Sequence, residues 1–419
     1  MIALGEARRQ VLGACATLAA VEVPLATAVG CMAASTVRAH SPVPGFENSA
    51  MDGYAVRAGD TAGAPVDLRV VGRTRAGEGP ASMGPGEAVR IMTGAPMPAG
   101  ADAVCMQEAT APGDREGTVR ISAPVEPGAF VRRPGDDVAV GQVILEAGTL
   151  IGPAHAGVLA GQGLGRACVY PRPVVGVLST GDELLDPPAP LVPGRIRDGN
   201  RPALLAALVQ SGFVPLDLGS VPDDETAIGD ALEAAAARCH AVVVSGGVSV
   251  GDADLVTAVL AQRCAGTSHW LQVAIRPAKP FAFGLLGGRV PVFGVPGNPV
   301  SALVSFELLV RPALRSMSGH TVLDRPVARG VTDEDLARAP DGKVHYLRVR
   351  AAFGDDGLVH VRPTGAQQSH VLAALARANA LAVVPDGPGL AAGSVVEVVL
   401  LDPDSLAGTG PGDVLGGGA

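Results

Sequence analysis

Lysine is scarce in this sequence, which has only Lys279 and Lys343, so that arginine supplies nearly all of the positive charge. The 41 acidic side chains outnumber the 32 basic ones, and the formal net charge is −9. This balance argues against general binding to nucleic acid or to an anionic membrane surface. An anionic substrate would therefore need a local cluster of basic residues, and a lysine inside a motif is informative.

Aromatic residues are also scarce, at 3%, whereas hydrophobic residues make up 47%, so Ala, Val and Leu must build the cores. The six cysteines are dispersed without a C-x-x-C pair, which is typical of neither a disulfide framework nor a zinc site. The eight histidines show no metal-ligand spacing. No apolar run has membrane-spanning length and no signal peptide is apparent, which together predict a cytoplasmic protein without a membrane anchor.

The chain is long enough for two to four domains, and the pattern of hydrophobic and turn-forming residues changes along its length. Helical patterns at 1–47 and 141–172, including residues 3–20 and 30–39, predict a discontinuous helical domain. Short strands between Gly/Pro turns predict a β domain inserted at 48–140. Alternating strands and helices predict a doubly wound parallel α/β domain at 173–322, and strands return in a small β domain at 323–405. The Gly-rich tail at 406–419 is predicted to be disordered.

The most informative stretch is A-V-V-V-S-G-G-V-S-V-G-D-A-D-L at residues 241–255, which predicts a buried strand, a glycine turn and a helix start. Glycines let backbone N–H groups approach a ligand, and the helix dipole favours an anion there. Asp252 and Asp254 would repel a bare phosphate but suit one bridged by Mg²⁺. Alternatively, Asp254 is a helix N-cap and Asp252 a solvated turn residue; the complete run favours a ligand site.

Two further strand-to-helix turns carry similar chemistry, S-T-G-D-E-L at 179–184 and P-G-N-P at 296–299. Ligands of open α/β sheets bind beyond the carboxyl ends of the strands, where all these turns meet if the strands are parallel. Asp223 and Asp224 fall on the same edge, and the sequence leaves open which of them faces the ligand. Glu183 belongs to this edge too, although it could instead be a first-turn residue favoured by the helix dipole.

The basic residues of the predicted site lie in the segment I-R-P-A-K-P-F at residues 275–281. Two prolines fix the backbone on either side of Lys279 and predict a rigid presentation of Arg276 and Lys279 to an oxyanion. The alternative is that both side chains pair with surface carboxylates, for which the flanking prolines would serve no purpose.

Taken together and in order, these motifs resemble those of the MoeA / gephyrin E-domain family, the molybdopterin molybdenumtransferases. The matching runs, which cover nearly the whole chain, are N-S-A-M-D-G-Y-A-V (48–56), I-M-T-G-A-P-M-P-A-G-A-D-A-V (91–104), S-T-G-D-E-L, S-G-G-V-S-V-G-D-A-D, P-A-K-P-F-A-F-G and G-V-P-G-N-P-V-S-A, with a weaker A-R-A-N-A-L-A-V-V-P at 376–385.

The resemblance implies four domains: a helical linker domain, an inserted β domain, an α/β domain of the molybdopterin-binding type and a C-terminal β barrel. It also implies a homodimer whose active site lies between the α/β domain of one subunit and the β domain of the other. The substrates would be adenylylated molybdopterin and molybdate, and the products molybdenum cofactor and AMP, with Mg²⁺ required. Contacts with the molybdopterin adenylyltransferase and with acceptor molybdoenzymes are further implied partners.

Site residues follow from the motifs and from the resemblance. The predicted catalytic residues are Glu183, Asp223, Asp254 and Lys279, with Asp52 and Asp137 from the other subunit; Glu183 and Asp254 are the predicted Mg²⁺ ligands. The predicted substrate-binding residues are Thr93, Gly94, Thr180, Gly181, Ser245, Gly246, Gly247, Ser249, Gly251, Asp252, Pro296, Gly297, Asn298 and Pro299. The predicted molybdate ligands, by family analogy, are Arg276, Lys279, Pro280, Ser301, Arg348 and Ser369.

The chain departs from the family at two positions: Ala278 replaces a usual glycine, and Arg276 stands where relatives often carry lysine. These departures leave open whether molybdate or tungstate is preferred. Two other functions also remain open at this point, adenylylation of molybdopterin with ATP and a gephyrin-like scaffold that binds partner peptides. The whole-length match favours metal insertion over adenylylation, and the intact acidic and basic residues argue against a purely structural role.

Overall fold

The computed structural model describes residues 1–248 and 255–406. They form two compact units: residues 1–21, 30–34 and everything described from 169 onward make the first, and residues 22–29 and 35–168 the second. No helix in these ranges is both long enough and apolar enough to cross a membrane. The predicted boundaries of four domains remain predictions.

The helices, in chain order, are α1 (Leu4–Ala14), α2 (Leu25–Ala28), α3 (Pro153–Gly161), α4 (Asn200–Gln210), α5 (Glu225–Ala236), α6 (Leu255–Arg263), α7 (Pro299–Ser305), α8 (Arg311–Met317) and α9 (Leu372–Ala376). A π-helical turn, Phe306–Val310, joins α7 to α8, and 3₁₀ turns lie at Ala58–Thr61, Gln107–Ala109 and Pro403–Leu406.

The strands, in chain order, are β1 (Val21–Pro24), β2 (Met32–Ala33), β3 (Val37–Arg38), β4 (Asn48–Ser49), β5 (Gly53–Val56), β6 (Val66–Thr74), β7 (Glu87–Ile91), β8 (Ala103–Met106), β9 (Thr110–Pro112), β10 (Thr118–Ile121), β11 (Val131–Arg132), β12 (Val143–Leu145), β13 (Arg166–Tyr170), β14 (Val174–Thr180), β15 (Leu184–Leu185), β16 (Ile196–Arg197), β17 (Val214–Val221), β18 (Ala241–Ser245), β19 (His269–Gln272), β20 (Ile275–Arg276), β21 (Pro280–Leu286), β22 (Val290–Val295), β23 (Val327–Thr332), β24 (Leu336–Ala337), β25 (Val344–Phe353), β26 (Val359–Pro363), β27 (Ala380–Val384), β28 (Gly389–Leu390) and β29 (Val395–Leu400).

The second unit is built on a six-stranded sheet with the order β8-β5-β7-β6-β10-β9. Its small apolar core contains Val56, Leu68 and Ile121, none more than 2% exposed, which fits a chain poor in aromatic residues. The β-strands predicted for this part of the chain are therefore present. The helix predicted for residues 30–39 is wrong: β2 and β3 lie there, because the segment pairs with β13 and β12 and contains the β-branched Thr36 and Val37.

The first unit contains the α/β sheet, with the order β17-β14-β18-β22-β21-β19. β17, β14, β18 and β22 are parallel. β21 pairs antiparallel with β22 and with β19, so β21 and β22 form a hairpin. Successive side chains of each strand pack into two different hydrophobic cores, one on each face of the sheet. Val243 packs on the face that holds Leu204 and Leu208 of α4, and Val244 on the face that holds Leu232 of α5. The sheet is thus covered on both faces, as a doubly wound fold requires.

A closed β barrel follows in the same unit, because β25 pairs with both β26 and β27 and the ring continues through β23 and β29. The structure confirms the barrel that the resemblance implied. β20 joins β25 in parallel, with Arg276 opposite His345, and so connects the basic segment of the α/β domain to the barrel. Leu406, at the first position of the predicted tail, is 7% exposed and packs in the barrel core; the remainder of that tail lies outside the described residues.

Asn379, in the weakly matching family motif at 376–385, has a structural role. Its side chain is 2% exposed, accepts a hydrogen bond from Ala351 N (2.7 Å) and donates to Ala351 O (2.8 Å) and to the Ser405 hydroxyl (2.9 Å). We expect Asn379→Ala to lower the free energy of unfolding by about 2–4 kcal/mol, because two buried backbone groups lose their partner. Urea denaturation measures the change. Ser405→Ala, which removes only the hydroxyl, should cost less than about 1 kcal/mol; equal losses in both variants would contradict this account.

Candidate active site

Four turns of the α/β sheet meet at one edge. Because β14, β17, β18 and β22 are parallel and in register, with Thr180 opposite Val221, Ser179 opposite Ser245 and Ser245 opposite Val295, their carboxyl ends are neighbours. The turns at 179–184, 222–224, 245–247 and 296–299 all leave from this edge. The sequence predicted this arrangement, and it brings the described substrate-binding candidates of this unit together.

Glycines allow the turns to approach each other closely. A Cβ on Gly246 (φ 104°) would lie 2.5 Å from Thr180 O, and one on Gly247 (φ 62°) would lie 2.6 Å from Val256 Cγ2. The backbone N–H of Gly246 donates to Val295 O at 3.2 Å. A Cβ on Gly297 would be 3.8 Å from Gly246 Cα. At residues 246 and 247 only glycine combines these positive φ angles with such short approaches, so the glycines allow the turns to pack against each other.

Asn200, at the start of α4, holds two of the turns together. Its Nδ2 donates to Ser245 Oγ at 2.9 Å and to Gly297 O at 2.6 Å. Asn200 was not among the predicted site residues, because its role depends on long-range contacts. Its position at the start of a helix that follows the 179–184 turn is the signal that the sequence offers. Nearby, the hydroxyls of Ser179 and Thr180 are buried and have no hydrogen-bond partner in the described ranges. Such groups can donate to a ligand.

The carboxylates of the edge have different partners. Asp224 caps α5 by accepting a hydrogen bond from Ala227 N at 2.8 Å, whereas the Asp223 side chain accepts one from Asp182 N at 3.4 Å. This difference favours Asp223 as the residue that faces the ligand. Glu183 is exposed, and its Oε2 lies 2.7 Å from where a Cβ on Gly181 would be, so the glycine makes room for the carboxylate.

Ser249, Gly251, Asp252 and Asp254 lie outside the described residues. In residues 1–248 and 255–406, no group of three or more His, Cys, Asp or Glu side chains has the arrangement of a metal site. The carboxylates present, Asp182, Glu183 and Asp223, supply the kind of oxygen donor that Mg²⁺ prefers.

A pocket of ≈ 420 Å³ adjoins the 296–299 turn and is strongly basic. Its lining includes Arg276, Lys279, Pro280, Ser301, Ser369, Lys343, Gln367 and Gln368. β21 runs antiparallel to β22, with Ala282 opposite Gly294, so the start of β21 lies at the same edge as the end of β22. Five of the six predicted molybdate ligands therefore share one pocket, and both lysines of the chain line it.

Arg348, the sixth, is completely buried and lines a neighbouring pocket of ≈ 250 Å³ with Arg276. Its guanidinium donates to the carbonyls of Tyr346 (3.4 Å), Ala366 (3.5 Å) and Gln368 (3.4 Å), while its Nε has no partner in the described chain. Burial, with a smaller effect of the Arg276 charge, lowers the Arg348 pKa to about 10, so the side chain stays charged at neutral pH. In the structure it holds the loop that carries Ser369.

Ala278 lies in the basic pocket with φ 78°, the left-handed conformation that the usual family glycine adopts freely, and it is 2% exposed. We expect Ala278→Gly to change the free energy of unfolding by less than about 1 kcal/mol, because relief of strain offsets lost burial and added chain entropy. Ala278→Val should cost about 2 kcal/mol or more, since a β-branched residue is poorly tolerated at this φ. Thermal and urea unfolding measure both; a harmless Ala278→Val would contradict the conformation described here.

Three of the four candidates of the second unit, Asp52, Thr93 and Gly94, lie close together, whereas Asp137 lies on a different segment. Asp52 Oδ1 accepts hydrogen bonds from both the backbone N–H and the hydroxyl of Thr93, each at 2.7 Å, and these bonds lower the pKa of Asp52. Gly94 N donates to Ser49 O at 2.8 Å. β4 pairs antiparallel with β11, so the chain continues from this pair towards Asp52 and towards Asp137 in opposite directions. Asp137 N instead donates to Val43 O at 2.9 Å. Asp52 is thus an exposed, ionised carboxylate that Thr93 holds in one orientation.

Comparison with known proteins agrees with this architecture. Residues 2–163 match the model of the MoeA N-terminal region (domain I and II), residues 176–316 that of the probable molybdopterin binding domain, and residues 329–401 that of the MoeA C-terminal region (domain IV). A protein from Haemophilus influenzae named molybdopterin molybdenumtransferase is 39% identical over 359 residues, covering 85% of this chain and 87% of that protein.

Molybdopterin molybdenumtransferase 1 from Mycobacterium tuberculosis is 38% identical over 409 residues, covering 91% of this chain and 94% of that protein. Among solved structures, a molybdopterin biosynthesis MoeA protein from Pyrococcus horikoshii matches with a TM-score of 0.78 and 32% sequence identity. The match covers 96% of this chain and 99% of the Pyrococcus chain. With identity at this level along almost the entire length, the chain belongs to the MoeA family of molybdopterin molybdenumtransferases.

Proposed function

We propose that this protein is a transferase that inserts molybdenum from molybdate into adenylylated molybdopterin, giving molybdenum cofactor and AMP. The observation that carries the proposal is the basic pocket beside the glycine turns. It places Arg276, Lys279, Ser301 and Ser369 in one cavity of a chain that otherwise avoids lysine. Cationic and hydroxyl donors around a small cavity suit a tetrahedral oxyanion.

The edge of the α/β sheet that carries the glycine turns suits the second substrate, adenylylated molybdopterin. The absence of a Cβ at Gly181 and Gly246 lets the turns pack closely against Glu183 and Thr180, and Gly297 lies beside Gly246. The unpaired hydroxyls of Ser179 and Thr180 can donate to phosphate oxygens at this edge. We assign the phosphate-bearing part of the adenylylated pterin to these turns, where Asn200 fixes the relative positions of Ser245 and Gly297.

We propose that Mg²⁺ acts with Glu183 and Asp223, and with Asp254 from the part of the sequence that the structure does not describe. The cation would neutralise charge on the phosphoanhydride that is cleaved when AMP leaves. The described carboxylates hold the negative charge that attracts the cation to this edge. Lys279 lies at the opposite side of the 296–299 turn, where it can hold the oxyanion apart from these carboxylates.

A direct assay tests the function. Purified protein is incubated with adenylylated molybdopterin, molybdate and MgCl₂, and AMP release and metal-containing pterin are quantified together. We expect both products in equal amounts and no reaction without molybdate. Incubation with molybdopterin, ATP and MgCl₂ is the discriminating arm: net formation of the adenylylated pterin by this protein alone, with no metal insertion, would contradict the proposal in favour of adenylylation.

We further propose that the protein is a homodimer in which Asp52 and Asp137 serve the site of the other subunit. Two tagged variants, Asp52→Ala and Glu183→Gln, are co-expressed and the mixed dimer is isolated by both tags. Each homodimer should be inactive, whereas the mixed dimer should have about half of the wild-type activity, because one of its two sites receives both intact residues. A mixed dimer as inactive as its parents would contradict a shared site.

The cytoplasmic location and contacts with the adenylyltransferase and acceptor molybdoenzymes remain predictions.

A further inference from the structure

Lys343 was not among the predicted site residues, although it lines the same pocket as Lys279. It directly precedes β25, and β25 pairs with β20 so that Arg276 lies opposite His345. This pairing places the start of β25, and Lys343 immediately before it, beside the strand that carries Arg276. The Lys343 side chain is 19% exposed, so its charge is largely withdrawn from solvent.

The counter-ion of Lys343 is shared among several groups. Asp341 Oδ2 accepts a hydrogen bond from Lys343 Nζ at 2.8 Å and lies 3.8 Å from an Arg276 terminal nitrogen. Asp341 Oδ1 accepts from Arg338 at 2.8 Å and lies 3.2 Å from His345 Nε2. The hydrogen bond from Lys343 is the main reason that the pKa of Asp341 falls to about 2.

One carboxylate cannot neutralise all of these cations. Arg338 has a second partner, Asp386 at 2.7 Å, but Lys343 and Arg276 have only Asp341 among the described residues. Lys279 forms no ion pair within the described ranges. Five cationic side chains, Arg276, Lys279, Arg338, Lys343 and the buried Arg348, therefore face two carboxylates, Asp341 and Asp386, and three positive charges remain. That surplus is large enough to neutralise a tetrahedral dianion.

We propose that Lys343 is an additional ligand of the oxyanion, held at the pocket by Asp341 until the anion arrives. This inference rests on the proposed function, in which the pocket holds molybdate. When the dianion enters, Lys343 donates hydrogen bonds to it and its bond with Asp341 weakens. Asp341 remains paired with Arg338, so this half-buried carboxylate is not left without a counter-ion. Arg338 is anchored independently by the carbonyls of Lys343, Val384 and Pro385, and thus keeps Asp341 in place.

Equilibrium dialysis of [⁹⁹Mo]molybdate against the full-length protein tests Lys343 without any need for turnover. The variants are Lys343→Met, which keeps the stem but removes the charge, Lys343→Arg, which keeps a cation, and Lys279→Met. Arg289→Met is the matched control, because Arg289 is an exposed cation of the β21–β22 turn at the opposite end of those strands. Circular dichroism and thermal unfolding verify that each variant folds.

We expect Lys343→Met to raise the molybdate dissociation constant about 10-fold, Lys343→Arg to restore most of the affinity, and Arg289→Met to leave it unchanged. Unchanged binding by Lys343→Met together with lost binding by Lys279→Met would overturn the role of Lys343 and leave the proposed function intact. Equal losses in Lys343→Met and Arg289→Met would also overturn it, because they would show a general charge effect. No binding by the wild-type protein would overturn the oxyanion pocket itself, and with it this inference.

Discussion

Replacing Lys279 by methionine is expected to raise the molybdate concentration for half-maximal turnover about 30- to 100-fold, which corresponds to a loss of about 2–3 kcal/mol of charge-assisted hydrogen bonding. Lys279 is rigidly presented between Pro277 and Pro280, and it has no carboxylate partner in the described part of the chain that could compete for its charge. The methionine keeps the apolar stem and therefore the packing of the pocket.

The control for Lys279→Met is Lys279→Arg, which keeps the positive charge but exchanges a compact ammonium for a planar fork. We expect an intermediate effect, because the charge remains while its position changes. Initial rates are measured against molybdate at saturating adenylylated pterin. An unchanged molybdate dependence in Lys279→Met would remove this residue from the oxyanion site.

Replacing Glu183 by glutamine is expected to lower turnover at saturating molybdate about 100-fold or more, with little change in the half-saturating molybdate concentration. The substitution removes one negative charge at the edge where we propose Mg²⁺ to act, and a lost electrostatic contact in a phosphoryl-transfer site has effects of this size. The fold should persist, because the Glu183 side chain is exposed and no described residue hydrogen-bonds to its carboxylate.

The control for Glu183→Gln is Glu225→Gln, an exposed carboxylate in the first turn of α5 near the same edge. This variant should retain wild-type turnover, since Glu225 lies outside the glycine turns. Rates are recorded across a MgCl₂ titration for both variants. Wild-type turnover and an unchanged magnesium dependence in Glu183→Gln would contradict the metal assignment.

The edge of the sheet was predictable because it follows from local rules. Runs such as 241–245 predict buried strands, and parallel strands necessarily bring their carboxyl-end turns together. Glycine at residues 246 and 247 signalled a special turn, and the structure has close contacts of this turn with Thr180 and Val256; the approach to a ligand stays a prediction. Lys279 stood out because lysine is so rare in this chain.

The errors and omissions have physical causes of a different kind. Residues 30–39 have a helical pattern but form short strands, because pairing with distant partners overrides weak local propensity. Asn200 and Lys343 were missed because their roles depend on contacts with residues 45 or more positions away or on a neighbouring strand. Arg348 could be named by resemblance, but its complete burial under the 364–369 loop required coordinates.

The central claim is that the basic pocket binds the oxyanion. Anomalous diffraction at the tungsten edge, from crystals of the full-length protein soaked with tungstate, locates a heavy tetrahedral oxyanion directly. We expect an anomalous peak among Arg276, Lys279, Ser301 and Ser369, and its loss in Lys279→Met crystals soaked in the same way. Peaks confined to other surfaces, with this pocket holding only solvent, would contradict the central claim.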